Sequence, residues 1–408
     1  MYKRERRKRL GRRRRRPGTP AVVFVDDCGW NAFYQLAPQL RRAGVRTIRV
    51  STEGLRKTRV TSRLLFDRYE TLPGPHDSQA LKDILASENV VDIQFAESLA
   101  MVVSEAIGTL TPAVAERLGR RLAVIDKVVA SRLFARSGIR TPEAIPVADV
   151  TAEEIVARFG FPIVVKGTIG YGGQGVSIVH DFDALAAAAA DGAGDAHDLF
   201  YEQFVAGTKL DYAAAIGPGG IEQELTYRVT RWHQPVGRAT EVETIDDPQL
   251  VALGRKVVGV AGCTGLVNMD VIRDENGRDW LIDFNARAFG GSSSFKAAGI
   301  DTSEGYLKAI GQRSAPPTRA GPVTDVRIRV FPTCLEDVID TGSIPRTALA
   351  FMQTSIPYFS WVGFRYWLSE ALSTADALHD SRRAARTPAA RGLHPRPTAA
   401  AIPEVRTR

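Results

Sequence analysis

The stretch Gly265–Ser294, GLVNMDVIRDENGRDWLIDFNARAFGGSSS, contains two β-rich runs separated by Asn276-Gly277. Asn-Gly between such runs is the strongest short hairpin signal and usually forms a two-residue type I′ turn. Because side chains alternate between the faces of a strand, this turn pairs Asp270 with Asp283 on one face. The same register pairs Asn268 with Asn285 on that face, and on an apolar, core-facing side it pairs Met269 with Phe284 and Val271 with Ile282.

Two carboxylates directly opposite each other repel and destabilise a hairpin unless positive charge lies between them. The oxygen ligands of Asp270, Asp283 and Asn285 suit Mg²⁺, or Mn²⁺, bridging to nucleotide phosphates better than they suit zinc. The alternative is the solvated polar face of an ordinary hairpin. Arg287 and the sequence AFGGSSS continue from this face and are unlike an exposed edge, so we favour a metal site.

A second motif, VVKGTIGYGGQGVSIV, spans Val164–Val179. It is not a Walker A loop, since Lys166 precedes the glycines and a strand follows them. A protein-kinase loop is disfavoured because the kinase lysine lies on the following strand and no HRD motif is present. The pattern favours a hairpin whose glycine tip covers phosphates with backbone N–H groups, with a purely structural glycine hairpin as the alternative. The glycines concerned are Gly170, Gly172, Gly173 and Gly175.

The first ordered segment predicts an α/β fold. AVVFVDD reads as a buried strand, NAFYQLAPQLRRAG as a helix ending at Gly44, and VRTIRV as a second strand, which is a β-α-β unit of a parallel sheet. The loop DDCGWN has no GxGxxG, so dinucleotide binding is not indicated. Further along, a helix is predicted from Asp126, capped by Gly138.

Composition excludes several classes of protein. The 408 residues are 44% hydrophobic, which predicts two or three soluble domains. No apolar run approaches the ~18 residues that span a bilayer. The three cysteines match neither a disulfide framework nor a zinc site, which favours a reducing, cytoplasmic setting.

The net charge of +8 comes from the ends of the chain, since Met1 to Pro20 holds eleven Lys/Arg against one Glu. Such a run predicts a disordered extension. A nucleic-acid-binding arm is the alternative, disfavoured because no aromatic residues alternate with the arginines.

The order of these motifs resembles the ATP-grasp superfamily, in its carboxylate-amine ligase branch. The resemblance implies an α+β fold with a Rossmann-like preATP-grasp domain, a lid and a larger β-rich domain. The expected divisions are a basic tail at 1–20, the preATP-grasp domain at 21–118, the lid at 119–205, the metal and substrate subdomain at 206–320, a closing unit at 321–374 and a disordered tail at 375–408.

The resemblance also implies roles for single residues. Lys127 and Lys166 contact phosphate, the run Gly170 to Gly175 is the mobile phosphate loop, and Arg287 meets the carboxylate that is activated. The strand of Glu202, Gln203, Phe204 and Val205 would offer its edge to adenine, and Asp211 would bind the ribose. The metal would be bound by Asp270, Asp283 and Asn285, with Glu243 near it. Arg228 or Arg231 would contact the γ-phosphate.

Three residues depart from the pattern of the family. Gly167 stands where proline is frequent, Lys209 where many members have a ribose-binding glutamate, and Asp283 where glutamate is common.

The activity implied is ligation. ATP, with Mg²⁺ or Mn²⁺, converts a small-molecule carboxylate into an acyl phosphate and ADP, and an amine then displaces phosphate. Homodimers occur in the family, and no membrane partner is expected. The alternatives are a phosphotransferase on the same scaffold and a non-catalytic nucleotide-binding protein whose Arg tails associate with nucleic acid.

Overall fold

The computed structural model describes residues 18–27, 31–52, 62–74, 77–170, 175–191, 199–233, 238–312, 324–362 and 364–386. Gly172 and Gly173 therefore lie outside the described residues, as do Cys28 and most of both basic tails.

The N-terminal part is a parallel sheet, as the β-α-β pattern predicted. Its order is β3-β2-β1-β4. The helices that follow β1 and β3 are Asn31–Arg42 and Ser78–Ala86. The strands are β1 (Pro20–Asp26), β2 (Arg46–Ser51), β3 (Arg68–Thr71) and β4 (Asn89–Phe95). Central strands β1 and β2 are almost wholly buried, which is why β1 reads as a continuous apolar run, whereas β2 buries Arg49 against Asp26.

A second, antiparallel sheet has the order β5-β8-β6-β7. Before it comes the predicted helix, Lys127–Arg136, whose N-cap Asp126 accepts a 2.8 Å hydrogen bond from the Val129 amide. The strands are β5 (Ala144–Pro146), β6 (Ile163–Gly167), β7 (Val176–Val179) and β8 (Leu199–Gln203), and the helices Ala152–Phe159 and Phe182–Asp191 cover them.

The third sheet is antiparallel and has the order β13-β12-β9-β10-β11-β14. Its strands are β9 (Thr208–Gly217), β10 (Gly220–Trp232), β11 (Ala239–Ile245), β12 (Gly265–Arg273), β13 (Asp279–Asn285) and β14 (Arg327–Arg329). The helix Pro248–Ala261 packs its apolar side against one face, around Tyr212 and Val267. Edge strand β14 comes from the segment for which a separate closing unit was predicted.

The hairpin β12–β13 differs from the prediction near its turn. Arg273 pairs with Asp279, so the connection is longer than the two-residue turn predicted. A bulge next to Asp270 then shifts the register and places Leu281, rather than Ile282, opposite Val271. The two offsets cancel, and Asp270 faces Asp283 and Asn268 faces Asn285 as predicted.

The C-terminal helices close the molecule against the N-terminal part. Tyr366, fully buried, packs its ring 6.4 Å from that of Phe331 and donates a 3.1 Å hydrogen bond to Oδ1 of Asn31. The last helix continues to Arg386, so the prediction that disorder begins at 375 is wrong for its first turns. The α-helices not yet named are Ala100–Ala106, Pro112–Leu122, Thr302–Ala309, Glu336–Ile339, Ile344–Val362 and Phe364–Arg386.

A buried network also joins the N-terminal sheet to the rest of the chain. Arg121 donates a 2.7 Å hydrogen bond to Asp92 on β4, and the Tyr306 hydroxyl donates to the same carboxylate. In the part of the chain that the structure describes, no helix is both long and apolar enough to cross a membrane.

Candidate functional site

Three carboxylates form a row across the six-stranded sheet. Asp283 on β13 lies opposite Asp270 on β12, which lies opposite Asp211 on β9. Directly opposed residues share a face, so all three side chains point to the same side of the sheet. Tyr227 on β10 extends the row beyond Asp211. We call Asp211, Asp270 and Asp283 the acid row.

Two lysines neutralise part of this charge. Nζ of Lys209 lies 3.0 Å from Oδ2 of Asp270 and 4.0 Å from Oδ1 of Asp211. Nζ of Lys127 lies 3.1 Å from Oδ1 of Asp283. Three carboxylates thus face two ammonium groups, which removes most of the repulsion that opposed acids would otherwise cause.

The environment sets which of these groups are charged. Burial raises the pKa of Asp211 well above its usual range, even though Lys209 opposes the shift. Burial acts in the same direction on Asp270, but the charge of Lys209 and hydrogen bonds from Asp211 and Lys209 hold its pKa below the ordinary value. Burial alone would lower the pKa of Lys127, yet the charges of Asp283 and Glu97 raise it. Of Asp211 and Asp270, Asp211 is therefore the one that more readily keeps a proton.

The two paired asparagines are fixed by hydrogen bonds. Asn268 donates from Nδ2 to the Tyr227 hydroxyl at 2.9 Å. Asn285 donates from Nδ2 to Oδ2 of Asp283 at 3.2 Å. Its Oδ1 accepts a 2.7 Å hydrogen bond from Nη2 of Arg287. The amide nitrogen therefore faces the carboxylate, and the amide oxygen predicted to bind metal is turned to Arg287.

Arg287 connects this hairpin to the N-terminal sheet. It is 7% exposed, and its Nε donates a 2.8 Å hydrogen bond to Oε1 of Glu97, the residue that follows Ala96 at the end of β4. Glu97 was not among the residues predicted from the sequence. The available signal was an acid at the carboxyl end of a parallel strand, where open α/β sheets bind their ligands.

Lys166 and Glu202 form a buried ion pair. Their side chains are 10% and 8% exposed, and Lys166 also donates a 3.4 Å hydrogen bond to the Ile282 carbonyl of β13. Burial raises the pKa of Glu202, and Lys166 counteracts that shift. The pair joins the second sheet to the strand that carries Asp283.

The prediction that the strand of Glu202 and Gln203 offers an edge to adenine is wrong. β8 lies between β5 and β6, and the Gln203 amide donates to the Glu143 carbonyl at 3.0 Å. Phe204 and Val205 follow the last residue of the strand, outside its ladder.

The glycine loop begins near the first lysine. The Lys127 amide donates a 2.9 Å hydrogen bond to the Thr168 carbonyl, one residue beyond β6. Gly175, at the return into β7, has φ +68°, a left-handed conformation that favours glycine. Gly170 lies at the other end of the loop, while Gly172 and Gly173 fall outside the described residues.

The structure does not bring Arg228 to the acid row, contrary to the prediction. Arg228 is opposite Leu210 and Glu243, one step out of phase with Asp211, and therefore lies on the other face of the sheet. Its Nε donates a 2.7 Å hydrogen bond to Glu243, and this bond lowers the pKa of that carboxyl. Glu243 is likewise away from the predicted metal ligands, and Arg231 is exposed further along β10.

The oxygen ligands at the acid row could bind Mg²⁺ together with a nucleotide, though not as a complete shell. Within the described ranges, no three His, Cys, Asp or Glu side chains are grouped to hold a metal by themselves. Asp270, Asp283 and the amide oxygen of Asn285 supply only part of an oxygen shell. Mg²⁺ typically takes one or two carboxylates and completes its shell with water and nucleotide phosphates, so a partial set suits it.

Sequence comparisons match the central part of the chain. Residues 126–211 match the family described as the carbamoyl-phosphate synthase L chain, ATP binding domain. The carbamoyl phosphate synthase large chain of Rubrobacter xylanophilus is 37% identical over 123 residues, which cover 28% of this chain and 12% of that protein. A D-alanine–D-alanine ligase of Ectopseudomonas mendocina is 26% identical over 175 residues, covering 40% of this chain. The match spans about half of that ligase, 55% of its length.

Solved structures share the fold over most of the chain. Carboxyaminoimidazole ribonucleotide synthase of Aspergillus clavatus, complexed with ATP, superposes with a TM-score of 0.62 at 14% identity, covering 75% of this chain and 80% of that one. L-amino acid ligase of Bacillus licheniformis gives 0.53 at 16% identity, covering 73% and 76%. These similarities show an ATP-grasp fold, and the order of the two lysines, the glycine loop and the acid row is similar to that of the carboxylate-amine ligase branch.

Proposed function

We propose that the protein is an ATP-dependent ligase that activates a substrate carboxylate as an acyl phosphate and joins it to an amine. The observation that carries the proposal is the meeting of three elements at Asp283. Lys127 of the helix contacts Asp283 directly, and Lys166 of the glycine hairpin bonds to the neighbouring Ile282 carbonyl. Two lysines, a glycine loop and paired oxygen ligands are the parts that phosphoryl transfer requires.

The first half of the reaction would transfer phosphate. An oxygen of the substrate carboxylate bonds to the γ-phosphorus as the bond from that phosphorus to ADP breaks. Lys127 and Lys166 would bind the phosphate oxygens. Each lysine would then give up its contact with a carboxylate, Lys127 that with Asp283 and Lys166 that with Glu202. Mg²⁺, held by Asp270, Asp283 and Asn285, would neutralise charge on the transferring group.

The second half would form the amide. The amine nitrogen bonds to the acyl carbon, the bond from that carbon to the phosphate oxygen breaks, and the nitrogen loses a proton. The loop from Gly170 to Gly175 would keep water from the acyl phosphate, which hydrolyses readily. Arg287, which is held by Glu97, would keep the Asn285 amide in place and bind the carboxylate of the substrate.

Hydroxylamine trapping tests this reaction. The purified protein is incubated with Mg-ATP, pooled carboxylic and amino acids and hydroxylamine, and ADP, AMP and hydroxamate are measured beside Asp283→Ala. Hydroxamate formed with ADP and lost in Asp283→Ala supports the proposal. AMP in place of ADP would mean adenylation and overturn it. ADP with a phosphorylated hydroxyl compound and no hydroxamate would indicate the phosphotransferase instead.

A further inference from the structure

Gln94 on β4 reaches the backbone beside Arg287. Its side chain is fully buried, and its Oε1 accepts a 2.9 Å hydrogen bond from the amide of Ala288. Ala288 directly follows Arg287 and lies shortly beyond Asn285, the last residue of β13. The chain that leaves the β12–β13 hairpin is therefore tied to an edge strand of the N-terminal sheet.

The orientation of the Gln94 amide is set from its other side. Its Nε2 donates a 3.0 Å hydrogen bond to Oδ2 of Asp92 and a 3.2 Å hydrogen bond to the hydroxyl oxygen of Tyr306. The Tyr306 hydroxyl donates its own proton to Asp92, and burial raises the pKa of Tyr306 well above its ordinary value, so this proton stays in place. Both neighbours of Nε2 are therefore acceptors, and a flipped amide would place an oxygen against them. The observed orientation turns Oε1 to Ala288.

Two contacts with the same part of the N-terminal sheet hold Arg287. Gln94 fixes the backbone after it, and Glu97, which follows the end of β4, accepts a 2.8 Å hydrogen bond from its Nε. The guanidinium also donates from Nη2 to Oδ1 of Asn285 at 2.7 Å. A group held through both its backbone and its guanidinium is already in place before a substrate arrives, which lowers the cost of binding a carboxylate.

We propose that Gln94 is a positioning residue, which places the guanidinium of Arg287 for the carboxylate that is activated. The role of Arg287 toward that carboxylate rests on the function proposed above, whereas the contacts of Gln94 do not. Gln94 bonds to Asp92, Ala288 and Tyr306, and none of these was assigned to the nucleotide. Loss of Gln94 should therefore weaken the use of the carboxylate and leave the binding of ATP intact.

Gln94→Met tests this role, because methionine is of similar length and cannot accept the hydrogen bond from Ala288. In the hydroxylamine assay, the concentration of the carboxylic-acid pool that gives the half-maximal rate should rise at least about tenfold, since a small misplacement of a binding group has an effect of this order. The KM for ATP should stay within about twofold of the wild-type value. Gln94→Glu should restore both values, because a buried carboxyl beside Asp92 keeps its proton and still offers one donor and one acceptor.

Gln39→Met is the matched control for a purely structural role. Gln39 is also a buried glutamine between the N-terminal part and the helix Thr302–Ala309, as its Oε1 accepts a 2.7 Å hydrogen bond from the Ser303 hydroxyl. Its Nε2 donates to the Gln35 carbonyl rather than to the segment after β13. Gln39→Met should lose stability without changing either kinetic value. The same result for Gln94→Met, or an equal rise in its KM for ATP, would overturn the proposal.

Modification by phenylglyoxal separates this inference from the proposed function, because it needs neither substrate nor turnover. Peptide mass spectrometry gives the rate at each arginine, and Arg287 should react at least about tenfold more slowly than Arg278, whose side chain is 50% exposed. Gln94→Met should speed the modification of Arg287 at least about threefold, whereas Gln94→Glu and Gln39→Met should not.

If the wild-type protein forms no hydroxamate, the proposed function fails and the phenylglyoxal rates still decide whether Gln94 holds Arg287. Equal rates at Arg287 and Arg278 in the wild-type protein would overturn the inference whether or not the variants fold. An unchanged rate at Arg287 in folded Gln94→Met would overturn it as well.

Discussion

The ammonium of Lys127 lies 3.1 Å from Oδ1 of Asp283, which joins the first residue of a helix to the edge strand of the six-stranded sheet. The two residues are far apart in sequence and were assigned separate roles, one toward phosphate and one toward metal. In the structure each is the charge partner of the other. A nucleotide whose phosphates bind Lys127 and whose metal binds Asp283 must therefore separate the two side chains.

Lys127→Met and Asp283→Asn should each reduce hydroxamate formation at least ~100-fold, because each removes charge stabilisation from the transferring phosphoryl group. The double variant should be little worse than either single one, since residues that act as a unit are not additive. Steady-state rates of hydroxamate formation measure this. Lys256→Met is the control, as this exposed lysine donates a 2.8 Å hydrogen bond to the Gly138 carbonyl, away from the acid row. Independent, additive losses would contradict the prediction.

Breaking the pair of Lys166 and Glu202 should destabilise the protein by about 3 to 5 kcal/mol, since one buried charge is left without its partner. The variant Glu202→Met should therefore be less stable than Lys166→Met/Glu202→Met, in which no charge remains. Urea unfolding measures both. The exposed pair of Arg158 and Glu143, with side chains 57% and 44% exposed, is the comparison, and Glu143→Met should cost less than ~1 kcal/mol. Equal losses at the two pairs would show that the first is not buried in solution.

Asp247 should make stability depend on pH in the acid range. Burial alone would raise its pKa, but hydrogen bonds from Arg273 and the Leu250 amide lower it below the ordinary value. A lowered pKa contributes stability above the unfolded value of ~3.9, and that contribution is lost as the pH falls further.

Asp247→Asn tests the charge alone, because asparagine is also a good N-cap for the helix Pro248–Ala261. The difference in unfolding free energy between wild type and variant should be constant above about pH 5 and shrink toward pH 3. Urea unfolding at several pH values measures it. A difference that does not change with pH would argue against the pairing with Arg273.

Two cysteines should react slowly in the folded protein. Burial raises the pKa of the Cys263 thiol and that of the Cys334 thiol, each to about 11. At pH 8 the thiolate is then a very small fraction, and alkylation by iodoacetamide should be at least ~100-fold slower than in the urea-unfolded chain. Peptide mass spectrometry assigns the modified cysteine. Equal rates in the folded and unfolded chain would place these thiols at an accessible surface.

Local patterns predicted the elements of the fold well. The apolar run before Asp26, the helix start predicted at Asp126 and the Asn-Gly dipeptide each depend on a few residues, and strands or helices form where they indicated. The Asn-Gly dipeptide did not predict the length of the connection between β12 and β13. The connection is longer than two residues, and a bulge next to Asp270 corrects the register that the longer connection shifts. The pairing of Asp270 with Asp283 was right because those two offsets cancel.

The partners of charged residues were harder to predict than the elements. Lys209 appeared in the sequence only as a departure from a family pattern, and nothing local placed it against Asp270. Arg228 was assigned to the site by its neighbourhood in sequence, yet the register between β9 and β10 puts it on the other face. A single residue of register decides the face of a side chain, and the sequence of one strand does not specify it.

By itself the sequence determined the main strands and helices and the pairing of Asp270 with Asp283, because these depend on short-range periodicity and turn chemistry. The family resemblance rested on the order of the motifs along the chain. Only the tertiary structure decided which charges meet. Arg287 bonds to Glu97 because the third sheet packs against the N-terminal part there, and Lys166 bonds to Glu202 because β6 and β8 are neighbours in the second sheet. A buried charge must find an opposite charge within a few ångströms, and that partner is chosen by packing rather than by distance along the chain.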